Sequence, residues 1–180
     1  MKQALTSLLV LGFLGTLSHA GEVKFNLSGD NTKVTFVGSK DAGKHDGGFK
    51  VLTGTASYNG KDPTTLQFDV DIDLTSIYTD TEKLTNHLKS PDFFDVKNYP
   101  KAKFVSAKVE KSGDEYKVTG KLTMHGKTKD VTFPAKIEAA ADKLTLTSNF
   151  KINRHDWNVS YGKGIVHDNV SLTVKVTAKK

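Results

Sequence analysis

Hydrophobic and polar residues alternate along most of this chain. The clearest run is Leu66, Phe68, Val70, Ile72 and Leu74, with Gln67, Asp69, Asp71 and Asp73 between them. A period of two puts the first set on one face of a strand and the second on the other. The pattern recurs at Tyr116–Met124, Val131–Ile137, Leu144–Ile152 and Val170–Val176. Further strands are predicted at Glu22–Leu27, Lys33–Val37, Gly48–Tyr58 and Lys103–Glu110. Turn-forming clusters separate them: Ser28-Gly29-Asp30-Asn31, Asn59-Gly60-Lys61-Asp62-Pro63, Lys111-Ser112-Gly113-Asp114 and His125-Gly126. Connections this short favour antiparallel neighbours.

One stretch departs from this pattern. Thr79-Asp80-Thr81-Glu82 has the form of a capping box, with Thr79 as N-cap. Leu84 and Leu88 then share a helical face, and Pro91 stops the helix. Phe93 and Phe94 follow at once. Two adjacent aromatics cannot share one face of a strand, so one is expected to plug the core and the other to pack under the helix.

Eight or nine strands with one oily face need a cover, and one short helix is too small. Closure into a barrel buries that face and removes the sheet edges. The expected fold is therefore all-β: an antiparallel eight-stranded β-barrel with one short helix. Eight strands enclose space for their own side chains or for one small ligand. Strands of nine residues rise ~30 Å, and a tilt near 40° leaves an interior ~23 Å long. The inner set comprises Phe36, Phe49, Phe68, Val70, Ile72, Phe104, Leu122, Met124, Phe133, Leu146, Phe150 and Ile152. It also holds Gly120, Ala135 and Ser148, which either leave a cavity or fit the taper of a filled barrel.

The N-terminus sits outside that fold. An apolar run at 8–17 follows Lys2, and Ser18-His19-Ala20 puts small residues where a signal peptidase reads. Residues 1–20 are expected to be a signal peptide, which places the mature protein in the periplasm or outside the cell. The apolar run is too short to span a bilayer, which takes about 20 residues. Residues 21–180 form one domain's worth of chain. There is no Cys, which excludes disulfides, thiolate metal sites and Cys nucleophiles. Lys and Arg number 26 against 20 Asp and Glu, and loss of Lys2 leaves an excess of five. The lysines are scattered singly, unlike a nucleic-acid stripe, and lean at most toward peripheral contact with an anionic membrane.

Polar chemistry is sparse. No histidine pair has the spacing of a zinc site, and no metal is expected. His45, His155 and His167 are each followed by Asp, in expected loops. No Gly-x-Ser-x-Gly elbow is present, and no catalytic residue is assigned. Asn153-Arg154-His155-Asp156-Trp157 is the most unusual stretch, because Arg154 is the single Arg beside 25 Lys. A planar guanidinium suits either a structural salt bridge or a stacked Arg–Trp pair closing the barrel end, or a ligand head group at its mouth.

The order of motifs resembles the YceI-like family of exported bacterial proteins, also called polyisoprenoid-binding or lipid-binding. The matching pieces include Val34-Thr35-Phe36, Asp73-Leu74-Thr75-Ser76-Ile77-Tyr78-Thr79 and His87-Leu88-Lys89-Ser90-Pro91-Asp92-Phe93-Phe94-Asp95-Val96. Gly120-Lys121-Leu122-Thr123-Met124-His125-Gly126 and Ile152-Asn153-Arg154-His155-Asp156-Trp157 complete them. The resemblance implies a lipocalin-like barrel with an elongated apolar interior for an isoprenoid chain or another long-chain lipid. This is a ligand rather than a cofactor, and binding rather than catalysis. It makes the inner apolar set the ligand wall, with Arg154 and Trp157 framing the mouth, and it implies a homodimer.

Overall fold

The computed structural model describes residues 21–180. The expected signal peptide lies outside the described residues. Eleven strands form one antiparallel sheet: β1 (Val23–Ser28), β2 (Thr32–Lys40), β3 (Gly43–Phe49), β4 (Leu52–Tyr58), β5 (Gln67–Asp73), β6 (Ile77–Thr79), β7 (Lys101–Ser112), β8 (Glu115–Met124), β9 (Lys127–Ala139), β10 (Lys143–Asn153) and β11 (Asn169–Lys179). The helix α1 spans Glu82–Lys89.

The eleven strands are eight segments of chain, three of them broken. β1 runs antiparallel to β4, and β2, which carries on from β1, runs antiparallel to β3. β4 and β3 pair in turn with β5 and β6. Residues 23–40, 43–58 and 67–79 are thus three long strands side by side, each interrupted once. From there β5 pairs with β7, and the ladder continues through β8, β9, β10 and β11 back to β2. That closes a ring of eight, as the alternation predicts.

The interruptions touch one another. Lys50 N–H donates to the Ser76 carbonyl (3.3 Å), and Asp73 N–H to the Val51 carbonyl (3.0 Å). Gly29 is required beside them, because a Cβ there would lie 2.2 Å from the Lys50 carbonyl oxygen. The predicted single strand Gly48–Tyr58 is therefore corrected to two, with Lys50 and Val51 between them. The residues look continuous, but the register to the next segment shifts by two across the break.

Local chemistry explains the other ends. Thr81, not Thr79, is the N-cap: its Oγ1 accepts from Leu84 N–H (3.3 Å). Thr79 instead uses its hydroxyl on Thr85 and on the Thr81 carbonyl. Thr81→Ala is expected to cost about 1 kcal/mol in urea melts. Ser90 ends the helix ahead of Pro91. His125 and Gly126, both at positive φ, make the two-residue turn from β8 to β9. On the outer face of β5, Lys103 bridges Asp69 and Asp71, and the Asp69 hydrogen bond holds the Lys103 pKa above its ordinary value.

The ring is weakest between β9 and β10. Their ladder runs only from Leu144–Ala139 to Thr147–Lys136. Pro134 has no N–H to extend it, and its carbonyl accepts the Ser148 hydroxyl instead. Above that point side chains close the wall. Phe133 on β9 stacks on Phe150 of β10, with centroids 4.5 Å apart and planes at 13°. Trp157 donates from Nε1 to the Leu122 carbonyl (2.9 Å).

The two ends of the barrel differ. At the end where β1 begins and β11 finishes, Phe25, Ala56, Val118, Ala135, Leu144 and Ala178 are fully buried and fill the interior. Ala135 thus fits a taper, and Ser148 serves the Pro134 seam. Gly120 lets the Phe104 ring lie flat on β8: a Cβ would meet that ring at 2.6 Å and the Val105 carbonyl oxygen at 2.5 Å. Gly120→Ala is expected to destabilise the fold by about 2 kcal/mol, read by thermal melting.

Candidate functional site

Toward the other end the interior is hollow. Phe36, Phe104, Leu122, Phe150, Ile152, Leu172 and Val174 point inward yet are only half-buried, because they face a void rather than one another. The cavity measures about 220 Å³. No polar atom is exposed on its wall. Such a space solvates hydrocarbon and nothing else, since an unpaired polar group inside would go unsatisfied.

Thirteen of the fourteen residues expected at the site line this cavity. They are Phe36, Phe49, Phe68, Val70, Ile72, Phe104, Leu122, Met124, Phe133, Leu146, Phe150, Ile152 and Arg154. Trp157 does not: it is buried beside the wall, and its hydrogen bond to the Leu122 carbonyl ties the turn after β10 to β8. Further lining comes from Val34, Val170, Leu172 and Val174, whose alternation on β2 and β11 marked them as inward. Val159 and Val166 belong to the irregular segment before β11, where no periodicity points to them.

Two segments cap the hollow end. One is α1 with the turn after it, which presents Leu88, Phe93 and Phe94 to the cavity. Both phenylalanines face inward, and Phe94 meets Phe49 edge-on at 6.3 Å. The other cap is residues 154–168. The rings of His87, Phe93 and Tyr161 join the caps, with centroids 4.8–5.1 Å apart.

Arg154 organises the second cap. It is 5 % exposed, and its guanidinium meets backbone carbonyls rather than a carboxylate. Nε donates to His167 (3.1 Å), Nη1 to Val159 (2.7 Å) and Tyr161 (2.8 Å), and Nη2 to Val166 (3.0 Å). Its carbon stem faces the cavity while its polar head is spent on main-chain carbonyls of the loop, in place of the expected salt bridge or Arg–Trp stack. Burial lowers its pKa and nearby Asp168 raises it in part. A guanidinium stays charged under both influences.

All five histidines among the described residues sit at this end. Four bind aspartates: His45–Asp80 (2.9 Å), His87–Asp92 (2.9 Å), His155–Asp168 (2.7 Å) and His167–Asp41 (2.9 Å). None uses the Asp that follows it. His125 donates from Nδ1 to the Trp157 carbonyl (3.0 Å). These contacts stitch the caps to the strand ends. One of them extends to Ser39, whose hydroxyl lies 2.9 Å from His167 Nδ1. Ser39, His167 and Asp41 have the order of a nucleophile, base and acid. Asp41 is fully exposed, however, so water screens its hold on the ring, and the chain of bonds is a tie across the rim. Among the described residues no three His, Cys, Asp or Glu side chains gather into a metal site.

A closed antiparallel barrel, packed at one end and hollow and apolar at the other, defines a lipocalin-like binding module. The chain belongs to the YceI-like domain family, whose model matches residues 25–178. It is 35% identical over 136 residues to Protein YceI of Escherichia coli O157:H7, covering 72% of this chain and 71% of that protein. Burkholderia cenocepacia BcnA superposes with a TM-score of 0.75 at 29% identity, covering 82% of this chain and 96% of that one. A Campylobacter jejuni YceI protein gives 0.68 at 30% identity, with 74% and 84% covered. A polyisoprenoid-binding domain from Saccharophagus degradans shares the fold, with a TM-score of 0.70 at 16% identity over 88% of this chain and 99% of that one.

Proposed function

We propose that the protein is an exported carrier that holds a polyisoprenoid or quinone-like chain inside its barrel for sequestration or transport. The observation that carries this reading is the cavity wall, which is apolar throughout. The Saccharophagus degradans domain of the same fold is described as polyisoprenoid-binding, which supports the ligand class. Burial of ligand surface drives uptake at about 25 cal/mol per Å². An engineered cavity of about 150 Å³ binds benzene. The space here admits a short stretch of such a chain, so a longer one requires the wall to widen.

Native mass spectrometry of protein purified from its own host, with lipid extraction of the same sample, tests the reading. A stoichiometric apolar adduct that raises the melting temperature is the expected result. A bare mass, with no stabilisation by added isoprenoid quinones or fatty acids, would overturn it. The same spectrum reads the dimer that the family resemblance implies, and the processed N-terminal mass shows whether residues 1–20 are removed.

A further inference from the structure

The segment Tyr161-Gly162-Lys163-Gly164-Ile165 crosses the hollow end and exposes large apolar side chains. Ile165 is 70% exposed and Tyr161 47% exposed. Gly162 and Gly164 stand at φ +67° and +82°, so the chain turns sharply on both sides of Lys163. The flanking residues Val159 and Val166 line the cavity. The surface of this loop is therefore continuous with the cavity wall.

We propose that this loop is the face by which the protein docks on an anionic lipid bilayer to exchange its ligand. Ile165 would enter the boundary between head groups and acyl chains, and Tyr161, whose ring packs on His87 and Phe93, would present its exposed side at that boundary. Lys163 lies between them. Lys40, bridged to Val166, and Lys44, on the same hairpin, are also exposed beside the loop. Asp41 and Asp168, hydrogen-bonded to His167 and His155, lie on the same rim. Attraction to anionic lipids therefore rests on Lys163 within the loop and on the chain's overall excess of Lys and Arg, 26 against 20 Asp and Glu. A wholly apolar ligand cannot cross water cheaply, and a docked mouth lets it pass from bilayer to barrel directly. The purpose of the docking rests on the carrier reading; its readout does not.

The test uses vesicles of phosphatidylcholine and phosphatidylglycerol in a two-to-one ratio. The wild type is expected to cosediment with them, and Ile165→Asp to bind about tenfold more weakly or less. Val51→Asp, which removes a 50% exposed apolar residue away from the mouth, is expected to bind like the wild type. In Ile165→Trp, fluorescence is expected to shift to the blue on binding and to be quenched by lipids brominated on their acyl chains. Wild-type affinity in Ile165→Asp, or no quenching at position 165, would overturn the proposal. So would a change of oligomeric state in Ile165→Asp with vesicle binding intact, which would make the loop a contact between copies. Vesicle binding is measured without added ligand, so failure of the carrier reading would show separately as the absence of any apolar adduct.

Discussion

Replacing Arg154 with methionine is expected to lower stability by about 3 kcal/mol and to loosen residues 158–168. Methionine fills much of the same volume but donates nothing. Four carbonyls now held by the guanidinium, those of Val159, Tyr161, Val166 and His167, would lose their partner together. A hydrogen bond to a charged group contributes about 1.5–3 kcal/mol, and orphaning a buried acceptor costs about 1–3 kcal/mol. The loop recovers part of that by opening to water, so the net loss falls well below the sum. Arg154→Lys separates charge from shape. An ammonium keeps the charge but has three donors at one point, where the site needs a planar fork. It is expected to lose nearly as much. Urea unfolding gives the magnitude, and faster hydrogen exchange confined to the loop gives the location. A lysine variant as stable as the wild type would show that charge alone matters.

The second large effect concerns the cavity. Val170→Phe combined with Val174→Phe places two rings in the void, four residues apart on β11. Ligand affinity is expected to fall more than about 100-fold while the fold persists. If the rings displace four methylenes of ligand, the loss is about 3 kcal/mol at 0.8 kcal/mol each, which corresponds to that factor. Stability is the internal control. Overpacking a filled core costs about 1–3 kcal/mol per site, whereas filling an empty one does not. A melting temperature that holds, with binding lost, is the result a hollow barrel requires. A double variant that melts early would mean that the space was never free.

Much of this was legible in the residues. Alternation on β5, β8, β9, β10 and β11 was enough to assign inward and outward faces, and the need to cover so much oily surface led to a closed ring. The breaks were not legible, because Lys50 and Val51 interrupt a strand through backbone pairing with residues 73–76, which no side chain advertises. The capping-box spacing favours Thr79, but its hydroxyl is taken by Thr85 and the Thr81 carbonyl, which leaves Thr81 to cap the helix. Trp157 stands three residues after Arg154, which suggests a shared place at the mouth; the short turn between them instead directs its indole to the Leu122 carbonyl of β8. The role of Arg154 could be narrowed to two alternatives and no further, since its partners are main-chain oxygens and carry no signature. Pro134 was the readable clue that went unused: a proline within a strand marks where a ladder stops.

The three interrupted strands also set the mechanics of the wall. On one side β7 to β11 are unbroken runs of 10 to 13 residues. On the other, residues 23–40, 43–58 and 67–79 are all broken at one level, so the upper wall there hangs from a line of irregular joints. Load from a bulky guest would be shared unequally, with the continuous side acting as a rigid back and the jointed side as the compliant one. The cavity of about 220 Å³ is then one that the jointed side can enlarge. Selectivity for guest length should fall off gradually rather than at a sharp limit.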